Sequence, residues 1–199
     1  ARQRCDTGLF FINPDNLSQT ALFNLRQDEI ITYDEAHDGY FITHDIYEEW
    51  ALEKIISRHY SNYLEVKRFF DELGSSLSMR RAFRLWLAEC LLEENNQEIK
   101  NFIQEAFIHS EITQFWKDEI LISILLSDYS AEFFKLFTQE ILTDDAKILK
   151  RILFLLRIAC TDISISSNFE RISPKGKGWE ETVSFIYKNK SEFFYKNFK

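Results

Sequence analysis

Few residues in this chain could carry chemistry. The histidines are His37, His44, His59 and His109, and the cysteines are Cys5, Cys90 and Cys160. His44 is followed directly by Asp45, with Glu48 three residues further on. An imidazole beside a helix start can donate to a phosphate oxygen or ligate a metal. Asp45 reads as the N-cap of that helix and Glu48 as its capping-box partner. His44 and Glu48 share a helical face, but two ligands do not close a zinc site. The odd number of cysteines, widely spaced and without C-x-x-C, points to reduced thiols in a cytosolic setting. Cys90 and Cys160 fall on apolar helical positions and read as core packing. Arg80, Arg81 and Arg84 form a basic cluster in an otherwise acidic chain. Arg80 and Arg84 share a helix face and are candidates for an acidic partner, a phosphate or the neighbouring Asp71-Glu72. There is no G-x-x-x-x-G-K-[ST] phosphate loop. Pro174-Lys175-Gly176-Lys177-Gly178 matches one only in composition and reads as a flexible helix-to-helix connection.

The elements that position these groups follow from composition and periodicity. Of 199 residues, 45% are hydrophobic and 28% charged, the balance of a globular chain rather than a disordered one. Five glycines and two prolines are too few for a turn-rich β-sandwich and favour helices with short connections. Nineteen phenylalanines can fill a large core. The net charge of −8 disfavours nucleic acid as a partner. No apolar run is long enough to cross a bilayer: Ile148 to Cys160 is broken by Lys150, Arg151 and Arg157. The chain begins at Ala1 and its one methionine is Met79, which suggests a fragment truncated at both ends.

The fold class expected is mainly α: a small winged helix over 1–60, then an α-solenoid-like helical repeat array over 61–199. Asn13-Pro14-Asp15-Asn16 signals a turn, with Asn16 as N-cap and Gln19 as its partner for a helix over 17–28. Glu29 to Tyr33 and Tyr40 to Thr43 form a hairpin around the polar tip Asp34 to Gly39. The acidic tip and the single cation Arg26 on the preceding helix oppose contact with DNA phosphates. A helix from 46 to about 60 has apolar positions Ile46, Trp50, Leu52, Ile55 and Ile56, which cover a broad face. Further helices are expected at 62–73, stopping at Gly74, and at 79–94, 97–109, 113–127, 130–142 and 145–161. Apolar residues nearly encircle the last of these, as in a helix sandwiched between others. Ser164 to Gly178 reads as the longest loop, and Trp179 opens a final helix to about 195.

The junction Phe41-Ile42-Thr43-His44-Asp45-Ile46-Tyr47-Glu48-Glu49-Trp50-Ala51 resembles the STAND-class signalling NTPases, relatives of the NLR and apoptotic ATPases. In that class a winged helix follows the nucleotide-binding and helical domains. Its last strand runs into a helix through aromatic-x-x-His-Asp. In NLR proteins the motif is Met-His-Asp, and its histidine contacts the β-phosphate of ADP; Thr43 stands here in place of that methionine. The resemblance covers about 35 to 45 residues, from the helix before the hairpin onward. It implies that His44 senses ADP held by a nucleotide-binding domain outside this chain. The Walker A lysine and Walker B carboxylates would then lie upstream, with ADP/ATP bound by the full-length protein. This chain would itself be non-catalytic. The same resemblance implies that the helical repeats bind a protein ligand and that the protein homo-oligomerises when activated. Two other readings stay open: a stand-alone helical-repeat scaffold for protein partners, and an HD-type metal-dependent phosphohydrolase. The phosphohydrolase would need a further upstream histidine and a downstream aspartate on separate helices, and His37 lies only seven residues before His44, in a polar turn.

Overall fold

The computed structural model describes residues 1–13, 18–92, 96–166 and 169–190. It is mainly helical, with two short antiparallel hairpins. The chain divides into two compact units, Ala1–Trp86 and Leu87–Lys199.

The first unit opens with α1 (Arg2–Thr7), which ends where Gly8 turns left-handed at φ 70°. Then comes α2 (Gln19–Gln27), whose cap is Ser18: its hydroxyl accepts from the Ala21 N–H at 3.0 Å. The expected cap Asn16 lies outside the described residues, as do Pro14, Asp15 and Leu17. β1 (Ile31–Asp34) pairs antiparallel with β2 (Gly39–Ile42), Ile31 opposite Ile42 and Tyr33 opposite Tyr40. On its other edge β2 is bridged by Ile12, which exchanges two backbone bonds of 2.9 and 2.8 Å with Tyr40. Gly39 packs closely on the preceding segment: a Cβ there would lie 3.0 Å from that of Phe11. Phe11 in turn stacks on His37 at the hairpin tip, ring centroids 4.1 Å apart.

α3 (Asp45–Ser61), α4 (Val66–Leu73) and α5 (Leu77–Leu92) complete the unit, the division between units falling within α5. The face that α3 buries is Glu48, Leu52, Glu53 and Ile56. Ile46 and Trp50, part of the broad apolar face, are about half exposed. Apolar residues around α3 are spread too widely for sequence to choose its inner face, and packing chose one containing two glutamates. α4 buries Val66, Phe69, Phe70 and Leu73 at spacings of three and four, a clean amphipathic stripe, and stops at Gly74 with φ 81°. These meet Met79, Ala82, Phe83 and Trp86 of α5 in an aromatic core; the Phe83 and Trp86 rings lie 5.5 Å apart.

The second unit contains α6 (Gln97–Ile108), α7 (Gln114–Leu126), α8 (Ser130–Leu136), α9 (Thr138–Leu142), α10 (Lys147–Ala159), the hairpin β3 (Thr161–Ser166) and β4 (Phe169–Pro174), and α11 (Gly178–Lys188). The helix encircled by others is α7, with nine consecutive-range positions between Trp116 and Leu125 buried and neighbours α6, α8, α10 and α11. α10 is one-sided instead: Leu149, Ile152, Leu155 and Leu156 are buried while Leu153, Phe154 and Ile158 face out. The expected helix over 130–142 breaks at Phe137, φ −104° and ψ 23°. Next to the break the Thr138 hydroxyl donates to the Phe134 carbonyl at 2.7 Å, a local bond that competes with the helical ladder. Most of the expected loop over 164–178 is the β3–β4 hairpin. Thr161-Asp162-Ile163-Ser164-Ile165-Ser166 alternates with period two, a strand signal hidden by its serine content. The final helix is described as far as Lys188, and 191–199 lie outside the described residues.

Candidate functional site

His44 lies where β2 gives way to α3. The strand end is fastened: the Thr43 N–H donates to the Ile30 carbonyl at 3.1 Å, and its hydroxyl donates to the Glu29 carbonyl at 2.6 Å. Thr43 therefore pins the base of the hairpin and fixes where α3 starts. His44 follows in extended backbone, φ −138° and ψ 136°, and occupies the N-cap position itself. Asp45 is the first helical residue rather than the cap, and no side chain caps this terminus. The imidazole is exposed and meets the Tyr47 ring edge-on at 5.7 Å. An exposed imidazole at an uncapped helix start, where backbone N–H groups lack intrahelical partners, can meet an anion presented by another body. Asp45 and Glu48 in the first turn oppose that anion, so this terminus alone is a weak phosphate site.

Glu48 does not reach back in a capping box. Its side chain is 7% exposed and turns inward toward Arg4, whose Nη1 lies 3.5 Å from Glu48 Oε2. The approach is coulombic: neither Arg4 Nη1 nor Glu48 Oε1 has a hydrogen-bond partner. The same guanidinium lies 4.8 Å over the Phe10 ring and 4.0 Å from Asp45. Arg4 had no sequence signal, since nothing in an irregular opening stretch distinguishes one arginine from another.

The three arginines of α5 separate. Arg81 is exposed and lines a cavity of about 340 Å³ together with Arg4, Asp45, Glu48 and Glu49. Arg80 and Arg84 are half-buried and do not line it. The carboxylates suggested for them have other partners: Asp71 meets Lys67, and Glu72 meets Arg68 at 2.8 Å and His59 at 3.1 Å. The Arg68 hydrogen bond, aided by His59, holds the Glu72 carboxyl below its ordinary range. A larger apolar cavity of about 500 Å³ opens between α2, the hairpin and α3, lined by Leu22, Leu25, Ile30, Phe41 and Tyr47 among others. His44 lines neither cavity.

The other candidates are dispersed. His37 is paired with Asp34, Nδ1 to Oδ1 2.9 Å, and this bond lowers the Asp34 carboxyl. Cys160 is fully buried and Cys5 nearly so, while Cys90, expected in the core, is half-buried; none of the three is in a disulfide among the described residues. No group of three or more His, Cys, Asp or Glu side chains that could hold a metal occurs among the described residues. The Pro-Lys-Gly-Lys-Gly run is a tight packing element rather than a loose connection. At Gly176, φ 73°, a Cβ would lie 2.6 Å from the Leu126 Cα, and at Gly178 it would lie 2.7 Å from the Leu125 Cβ. No helix among the described residues is long and apolar enough to cross a membrane. No family model matches the chain, and no curated protein sequence matches it.

Proposed function

We propose that this chain is the regulatory part of a STAND-type signalling ATPase, coupling nucleotide state in a separate ATP-binding domain to recognition of a partner by its helices. The observation that carries the reading is the placement of His44, exposed at the uncapped start of a 17-residue helix directly after a pinned hairpin. The ring makes no capping bond to the helix N–H groups. His44 leaves them open, as phosphate sensing across a domain interface requires.

Two features support the finer architecture. The order helix, hairpin, helix, with Ile12 bridging the outer edge of β2, is compatible with a winged helix whose third strand is minimal. In the second unit α10 packs on α7 and α11 on α8, as two helix pairs laid side by side would in a solenoid. The plain scaffold reading draws on that same pairing and assigns His44 no ligand. The phosphohydrolase reading finds no metal-ligand cluster among the described residues.

The test is His44→Ala in the full-length protein encoded by the gene, with bound ADP followed by its release rate. Losing one hydrogen bond to a charged phosphate oxygen is worth about 1.5–3 kcal/mol, so release should quicken by roughly ten- to a hundredfold. An unchanged release rate removes His44 from the nucleotide site. Absence of a phosphate-loop sequence upstream in the same gene leaves only the scaffold.

A further inference from the structure

The charges of the second unit are segregated. Residues 87–146 hold three basic and thirteen acidic side chains, whereas 147–199 hold eleven basic and five acidic. The boundary coincides with the start of α10, whose outer face reads Lys147, Lys150, Leu153, Phe154, Arg157 and Ile158, all exposed. Ile158 is 61% exposed and Phe154 48%, with the Arg151 guanidinium 4.9 Å over the Phe154 ring. Lys150 makes a surface pair with Asp145, which exchanges readily. The hairpin that follows is fastened to the end of α10: the Lys175 N–H and the Trp179 indole N–H both donate to the Cys160 carbonyl, at 2.9 and 2.7 Å. On that hairpin Ile163 and Ile172 sit directly opposite each other, and both are about two-thirds exposed.

We propose that the outer face of α10, together with the Ile163–Ile172 pair, docks an acidic amphipathic helix of a protein partner. This rests on reading the helical unit as the partner-sensing part and names the chemistry of what it senses. Charge complementarity argues for it, since cations flank an apolar centre in a chain that is otherwise strongly acidic. The spacing argues for a helix: exposed apolar positions recur one turn apart along α10, matching anchors at i, i+3 or i+4, and i+7 on a partner. An anionic bilayer fits less well, because a planar surface also feels the thirteen acids of 87–146, whereas a short segment meets only α10 and the hairpin. Nucleic acid would gain nothing from Leu153, Ile158, Ile163 and Ile172, which neither stack on bases nor donate to phosphate.

The probe is a synthetic 18-residue helix with Leu and Phe on one face and Glu on the other, titrated into the whole 199-residue chain. Its controls are the same peptide with Lys in place of Glu, and vesicles of phosphatidylcholine with and without phosphatidylserine. The Glu peptide should bind and the Lys peptide should not. Phe154→Glu, Ile158→Glu and Arg157→Glu should each weaken binding by about tenfold, with circular-dichroism melts unchanged because all three side chains are exposed. Equal binding of both peptides, no binding of either, indifference to the three variants, or retention by the phosphatidylserine vesicles alone would each overturn the assignment. Any of these with ADP release still sensitive to His44 would locate the failure in the docking face and not in the nucleotide reading.

Discussion

Tyr129 shows how a single side chain can record its surroundings. It is 7% exposed, its hydroxyl has no hydrogen-bond partner, and Lys100 Nζ lies 5.5 Å over its ring while bonding Glu132 at 2.8 Å. Burial, with the Glu132 charge adding to it, pushes the phenol from 10.0 up to about 12. The unfolded chain gives up this proton near 10, while the fold keeps it to about 12, so stability is unaffected below 10 and falls as pH rises between those values. At about 1.4 kcal/mol per unit the full loss is of order 3 kcal/mol at most. Tyr129→Phe should remove that alkaline loss and cost little at neutral pH, since no hydrogen bond is given up. Urea unfolding at pH 8 and pH 11 for both proteins checks it; an equal alkaline loss in the variant would assign the effect to the nearby Lys100–Glu132 pair. At the same scale, His44 was legible from the strand-to-helix junction, while its cap position was not. Asp45 and Glu48 make a good capping box on paper. Arg4, some forty residues earlier, offers Glu48 a cation, and sequence holds no trace of that long-range approach.

Among the elements, those with one clear apolar stripe were legible: α4, α6 and the β1–β2 hairpin form close to where periodicity puts them. Errors came where two patterns competed. α10 carries apolar residues all round, but only packing decides that Leu153, Phe154 and Ile158 stay outside. The β3–β4 hairpin has strand alternation in a composition typical of loops. Glycines at 176 and 178 look like flexibility and serve close contact with the end of α7. This contact has a measurable consequence. Gly178→Ala places a methyl 2.7–2.8 Å from the Leu125 side chain and carbonyl, and relief requires moving the end of the most buried helix of the unit. The expected loss is about 1–3 kcal/mol from overpacking. At Gly74, by contrast, an added Cβ meets nothing within 4 Å, so Gly74→Ala reports backbone strain at φ 81° alone. With ψ at −152° this is a conformation that only glycine populates freely, so the strain-only variant should itself cost about 1–3 kcal/mol. A loss at Gly178 well below about 1 kcal/mol would mean that α7 yields and that the close approach is soft.

For the whole molecule the governing quantity is the uneven charge. The chain carries −8 overall, and the acids of 87–146 outnumber the bases there by ten. Crowded like charge opposes the compact state, and mobile ions screen it. Surface ion pairs such as Arg68–Glu72 and Lys67–Asp71 are weakened by the same ions, but exposed pairs of this kind contribute little to begin with. Repulsion therefore dominates, and raising salt from 0.05 to about 0.5 M at pH 7 should raise the melting temperature by a few degrees, equivalent to about 1 kcal/mol. Docking of an acidic helix on α10 must respond in the opposite sense, because there the charges across the contact attract. A salt series thus separates two consequences of one distribution: the chain gains stability over the range in which the Glu peptide is released. If melting temperature and peptide affinity fell together with salt, attraction between the basic stretch from Lys147 onward and the acids before it would already be satisfied within the fold. The outer face of α10 would then have no unspent charge with which to hold a partner.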